Sequence, residues 1–102
     1  MTSIRFEWDE AKNRSNQRKH GLSFEQASQV FRDPLRITVL ERIVGGEERW
    51  QTFGIAKGIL LLMVAHTISE ELSDGSWIEM VRIISARPAD AAERRRYEIE
   101  NG

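Results

Sequence analysis

Residues 59–67 read ILLLMVAHT, an apolar run broken only near its end, by His66 and Thr67. A strand that faces water on one side alternates apolar and polar residues; an unbroken run marks one covered on both faces. The run is too short to cross a bilayer as a helix, which takes roughly 18 or more apolar residues. The chain must therefore supply a neighbouring strand on either side and a layer over each face. On one side, Arg36–Ile43 (RITVLERI) is rich in β-branched residues, Gly45-Gly46 marks a turn, and Glu48–Ala56 returns antiparallel to a second turn at Lys57-Gly58. On the other, Trp77–Arg87 is a last strand, and Ser69–Ser76 (SEELSDGS) between them is expected to be a long, acidic, mobile loop.

The remaining segments read as helices and one short strand. Ile4–Trp8 (IRFEW) alternates, as a half-buried strand does. Asp9 is placed to cap a helix from about Glu10 to His20, and Gly21 is placed to end it. Ala11 is that helix's only apolar residue, so burial alone cannot hold it; it faces solvent or sits against a polar partner. Lys12, Asn16 and Lys19 fall on one of its faces. Ser23 and Gln26 form a capping-box pattern for a second helix, Ser23–Arg32, whose Phe24, Ala27, Val30 and Phe31 make a core stripe before Asp33-Pro34 stops it. Pro88, Asp90 and Glu93 suit the first turn of a C-terminal helix reaching about Glu100. The order is β-α-α-β-β-β-β-α. It predicts a single α+β domain over residues 1–102, an antiparallel sheet with two N-terminal helices and a C-terminal helix.

Composition removes several function classes. There is no cysteine, so a disulfide framework and a thiolate metal site are both excluded. With His20 and His66 the only histidines, zinc would need carboxylates, and no metal or cofactor is expected. The N-terminus, MTSIRFEWDE, has no signal-peptide core, so the expected location is the cytoplasm, with no membrane partner. Net charge is −1, but the charge is segregated. Residues 12–20 hold Lys12, Arg14, Arg18 and Lys19 with no acid; residues 82–96 hold five arginines against Asp90 and Glu93; residues 70–79 hold four acids and no base. Such a chain can carry a basic face while neutral overall, although solvated helix faces would look the same.

The last strand and helix, VRIISARPADAAERRRY (residues 81–97), frame the functional question. Arg82 lies inside an apolar run. Arginine keeps its charge, so it must be paired or used. By alternation Arg82 shares a face with Ile78, Met80 and Ile84, while Arg87 falls on the other face unless the strand ends or bulges first; His66 shares one with Leu60, Leu62 and Val64. An RNA chain carries its own nucleophile, the 2′-hydroxyl. A protein that cuts it must hold the phosphate, offset charge on the phosphoryl oxygens and move two protons. The guanidinium fork suits the first two tasks, which makes Arg49, Arg82 and Arg87 the candidate clamp. His66, and less directly Tyr97, are candidate proton carriers. Lys12 and Lys19 would hold the RNA backbone. Trp8, Trp50 or Trp77 could stack a base, or simply pack. The competing reading makes His66 a satisfied strand-end histidine and gives Arg82 a structural ion pair with Glu79 or Glu41.

The run FEWDEAKNRSNQRKHGLSFEQASQVFRDP resembles the opening of the BrnT family, as do the strand with Arg49, KGILLLMVAHT and RIISARPADAAERRRY. The resemblance covers nearly the whole chain in the family's order. It implies a bacterial type II toxin with a RelE-like fold that cleaves RNA and blocks translation. It also implies neutralisation by a BrnA-type antitoxin, through which alone the complex reaches operator DNA. Matching positions are Lys12, Lys19, His20, Arg49, His66, Arg82, Arg87 and Tyr97. Two stretches depart from the family pattern. Ile68-Ser69 follow the His-Thr pair where charged residues are common, and Pro88 stands where a basic residue commonly follows the SAR element; the position of any general-base carboxylate is thereby left open. The alternative function is a module that binds RNA or an antitoxin without cleaving.

Overall fold

The computed structural model describes residues 3–58 and 60–102, so Ile59, expected to open the central strand, lies outside the described residues. Strand β1 (Ser3–Trp8) is followed by helix α1 (Glu10–His20), then by helix α2 (Phe24–Ser28), which runs into a 3₁₀ turn (Gln29–Arg32). Strands β2 (Ile37–Val44), β3 (Glu47–Ala56), β4 (Leu60–Ser73) and β5 (Ser76–Pro88) come next, and helix α3 (Ala91–Asn101) closes the chain. One sheet has the order β1-β5-β4-β3-β2. β1 runs parallel to β5 and every other pairing is antiparallel. The α+β class and the element order are as the sequence predicts.

One face of the sheet carries the main core. Leu22, Phe24, Ala27, Val30 and Phe31 pack on Leu62, Val64, Val81, Ile83 and Ala86. β1 closes its flank, with the Phe6 and Phe31 rings 5.2 Å apart and Trp8 edge-on to Phe24 at 6.1 Å. The 3₁₀ turn comes so close to β3 that a Cβ on Gly54 would stand 2.8 Å from Val30 Cγ1, so only glycine fits there. On the opposite face Phe53 and Leu61 are buried. α3 packs against β3, fastened by the Tyr97 hydroxyl, which donates to Asp33 Oδ2 at 2.6 Å.

The polar helix α1 is held by two buried asparagines. Asn13 Oδ1 accepts the Phe24 N–H at 2.8 Å, and its Nδ2 donates to Glu25 at 3.0 Å. Asn16 Nδ2 donates to the Leu22 carbonyl at 2.9 Å, and its Oδ1 accepts the Ala86 N–H at 3.1 Å. β1 pairs with β5 only as far as Ile83, so Asn16 takes up a backbone donor beyond the end of that ladder. Asp9 and Gly21 cap the helix as expected, the first accepting from the Ala11 and Lys12 N–H groups and the second in the left-handed conformation at φ 69°.

The expected acidic loop is instead a tight hairpin. β4 continues to Ser73 and β5 begins at Ser76, joined by Asp74-Gly75 with φ of 51° and 76°. Positive φ at both central residues is the two-residue turn whose twist matches antiparallel strands. β3 pairs with β4 only up to His66, so residues 67–73 project beyond it as an arm with one unpaired edge.

Candidate nucleic-acid interface

A single extra residue sets the geometry of the arginines. Ala65 lies opposite Ser85 and His66 opposite Ile83, which leaves Ile84 unmatched in a bulge on β5. The buried positions of β5 accordingly step from Val81 and Ile83 to Ala86. Arg82, before the bulge, and Arg87, after it, therefore project from the same face, away from the helices. Arg49 and Gln51 of β3 share that face. With Arg42, Met63, Ser85 and Arg87 they line a concavity of about 290 Å³. A second hollow of about 270 Å³ lies between α1 and β5, lined by Lys12, Ser15, Lys19 and His20 together with Ile84 and Ser85. The two hollows share Ile84 and Ser85, so the bulge lies between the cations of α1 and those of the sheet. Lys12, Lys19 and His20 are exposed.

Two carboxylates organise the guanidiniums. Glu47 Oε1 lies 2.8 Å from Arg82 Nη2 and 3.4 Å from Arg49 Nη2. Glu93 forms a two-pronged pair with Arg87 at 2.7 and 3.0 Å. That hydrogen bonding holds the Glu93 carboxyl below its ordinary range and pushes the Arg87 guanidinium above its own. The arginines are still reached by solvent: the Arg82 side chain is 43% exposed and that of Arg87 34%. Arg49 Nε is buried and has no hydrogen-bond partner among the described residues.

Two expected site residues lie elsewhere. His66 is fully buried on the helix-facing side, edge-on to Phe31 at 5.0 Å, so the sheet separates it from the arginines. The Thr67 carbonyl, 3.3 Å from Nδ1, can only accept, so Nδ1 carries the hydrogen and Nε2 accepts from the Thr52 hydroxyl at 2.7 Å. Thr52 in turn accepts from Thr38 at 2.8 Å. Burial pushes the His66 pKa down to about 4, so the ring is neutral near pH 7. His66 is not at a strand end, since β4 runs on to Ser73; it is a buried, hydrogen-bonded histidine in mid-strand, away from the arginines. Tyr97 is likewise buried, and desolvation with its bond to Asp33 pushes its pKa up to about 12; it anchors α3. Nor is Arg82 paired with Glu79 or Glu41, the partners the sequence suggests, but with Glu47.

Among the aromatic candidates, Trp8 is partly buried and packs against the core. Trp77 is 56% exposed but sits on the arm opposite Leu72, on the helix-facing side. Arg94, Arg95 and Arg96 are exposed on α3, the last 3.1 Å from Glu100. Sequence reading missed Glu47, although its two-residue spacing from Arg49 puts both on one strand face. It read Glu93 as an acid of the first helical turn; the side chain also caps the helix, its Oε1 accepting the Asp90 N–H at 2.9 Å. Among the described residues no three histidine or carboxylate side chains converge as a metal site would need.

Comparison with known proteins places this architecture. The crystal structure of the Brucella abortus ribonuclease toxin BrnT superposes with a TM-score of 0.51 at 22% identity, over 88% of this chain and 97% of that one. That likeness shows a shared fold. No curated protein matches the sequence significantly. The family model described as the ribonuclease toxin BrnT of type II toxin–antitoxin systems matches residues 8–93, far more than half of the chain. On that match the chain belongs to the BrnT family of type II ribonuclease toxins.

Proposed function

We propose that the protein is a metal-independent endoribonuclease that acts in the cytoplasm, blocks translation by cutting RNA, and is neutralised by a BrnA-type antitoxin through which the complex reaches operator DNA. The observation that carries the reading is the bulge at Ile84, which brings Arg87 to the face that holds Arg82 and Arg49. RNA would lie across the bulge, its phosphates held by Lys12 and Lys19 on one side and by the arginines on the other. In the reaction the 2′-oxygen forms a bond to the adjacent phosphorus as it loses its proton. The bond from phosphorus to the 5′-oxygen breaks, and that oxygen gains a proton. The products are a 2′,3′-cyclic phosphate and a 5′-hydroxyl. Guanidiniums offset the charge that builds on the phosphoryl oxygens, so the step needs no metal ion. His66 and Tyr97 are out of reach. His20, exposed beside Ser85, takes over as the histidine able to carry a proton.

The test compares the protein with its Arg82→Ala, Arg87→Ala double variant on a defined RNA, with and without EDTA. The expected result is cutting that survives EDTA and falls at least about 100-fold in the variant, as loss of a charge-stabilising donor commonly gives. Equal cutting by both would remove the site from this face. Binding without cutting by either, on free RNA and on translating ribosomes, would favour the non-cleaving module, a reading to which the carboxylate partners of Arg82 and Arg87 lend support.

A further inference from the structure

Glu47 is the first residue of β3, directly after the Gly45-Gly46 turn. Its carboxylate is shared between Arg82 on β5 and Arg49 on β3. One anion thus gathers two guanidiniums from strands that are not neighbours in the sheet. To a guanidinium fork, a carboxylate and a phosphate offer the same feature, a pair of anionic oxygens at matching separation. Glu47 and Glu93 differ in how firmly they are held. The Glu93 side chain is 15% exposed, uses both oxygens on Arg87 and also caps α3. The Glu47 side chain is 45% exposed at a hairpin tip and, among the described residues, makes only its two ion pairs. An exposed pair of that kind exchanges partners at little cost.

Arg49 supplies the second observation. Its contact with Glu47 is long, at 3.4 Å, and its Nε is buried with no acceptor among the described residues. Arg49 lines the basic concavity and is the more loosely held of the two guanidiniums, so it is the one most readily handed to another anion.

We infer that Glu47 is a resident anion that a backbone phosphate of RNA displaces. In the free protein Glu47 draws Arg49 and Arg82 together and cancels part of their charge. When RNA arrives, a phosphate takes both guanidiniums in place of the carboxylate, and Glu47 swings into solvent. Glu93 stays, keeping Arg87 oriented. Glu47 thereby weakens binding to every RNA and sets how strongly a substrate must engage the rest of the face. This rests on the reading of the face as an RNA site, and its test separates the two.

The probe is a fluorescent, fully 2′-O-methylated oligonucleotide, which binds but offers no nucleophile, titrated by anisotropy at about 0.1 M salt, where the screening length is about 10 Å. Glu47→Gln is expected to bind about 5- to 20-fold tighter than the unchanged protein. Glu48→Gln removes the same charge one residue on, from the other face of the strand, and is expected to change binding less than about 2-fold. Glu93→Gln is expected to bind more weakly, since Arg87 loses its orientation. Both glutamates of the hairpin tip are exposed, and unchanged melting temperatures would show the variants folded. If Glu47→Gln binds no tighter than Glu48→Gln while an Arg49→Ala, Arg82→Ala variant still weakens binding, the resident-anion role is overturned and the RNA face stands. If that arginine variant binds as the unchanged protein does, the face itself falls, and the inference with it.

Discussion

A histidine next to the residue that lies opposite Arg82 invites a catalytic reading, and His66 shows how alternation can refuse it. The sequence places His66 on the face of Leu62 and Val64, and the structure keeps it there, under Phe31. What the sequence leaves open is which face the helices cover, since both carry apolar residues. Burial then has a pH consequence. Unfolded, His66 protonates near 6.5; folded, it resists until about 4. Between those values the unfolded chain binds the extra proton, so stability falls as pH drops through that window, by roughly 3 kcal/mol in all. Urea titrations from pH 7 to pH 4 should show the loss, and His66→Gln should flatten much of it while lowering stability at pH 7.

At the scale of elements, α1 shows why helix periodicity alone misjudges polar segments. Its strength lies in Asn13 and Asn16, whose amides pair with backbone groups that would otherwise be buried without partners. The notion of a polar helix against a polar partner was legible; that the partner is the start of α2 and the edge of β5 was not, because such pairings are set by tertiary approach. Removing one side of a buried hydrogen bond costs about 1–3 kcal/mol per orphaned group. Asn16→Ala orphans the Leu22 carbonyl and the Ala86 N–H together, so a loss of about 2–4 kcal/mol in chemical denaturation is expected, with Asn16→Asp intermediate because it still accepts from Ala86. The arm of β4 and β5 was misread for the opposite reason. A strand pair exposed on both faces has a loop's composition, and the Asp74-Gly75 pair that marks its turn lay inside the acidic run.

For the molecule as a whole, the sheet divides labour between its faces. The helices close one face and bury the histidine; the other, part-covered by α3, holds the arginines and their two glutamates. The element order and the central position of β4 followed from the apolar run and its turns. The parallel meeting of β1 with β5 did not, since a long-range pairing leaves no mark on either strand. The arginines were legible as a candidate set and not as a place, because their meeting on one face depends on one unmatched residue.

That residue makes the shared face of Arg82 and Arg87 a matter of chain length. Ile84 is half-exposed and its side chain has no assigned chemistry, so a substitution scan would pass over it: Ile84→Val should retain most RNA binding. Loss of a single codon is another matter. Deleting Ile84 leaves every arginine in the sequence yet reverses the side from which Arg87 emerges relative to Arg82, and RNA binding should drop about as far as in the Arg87→Ala variant, or the strand should fail to pair at all. Deletion scanning with a binding readout beside a circular-dichroism melt distinguishes these outcomes. The expected consequence is that a three-nucleotide slip, which leaves every arginine in the sequence, undoes an arrangement that a substitution at the same codon spares.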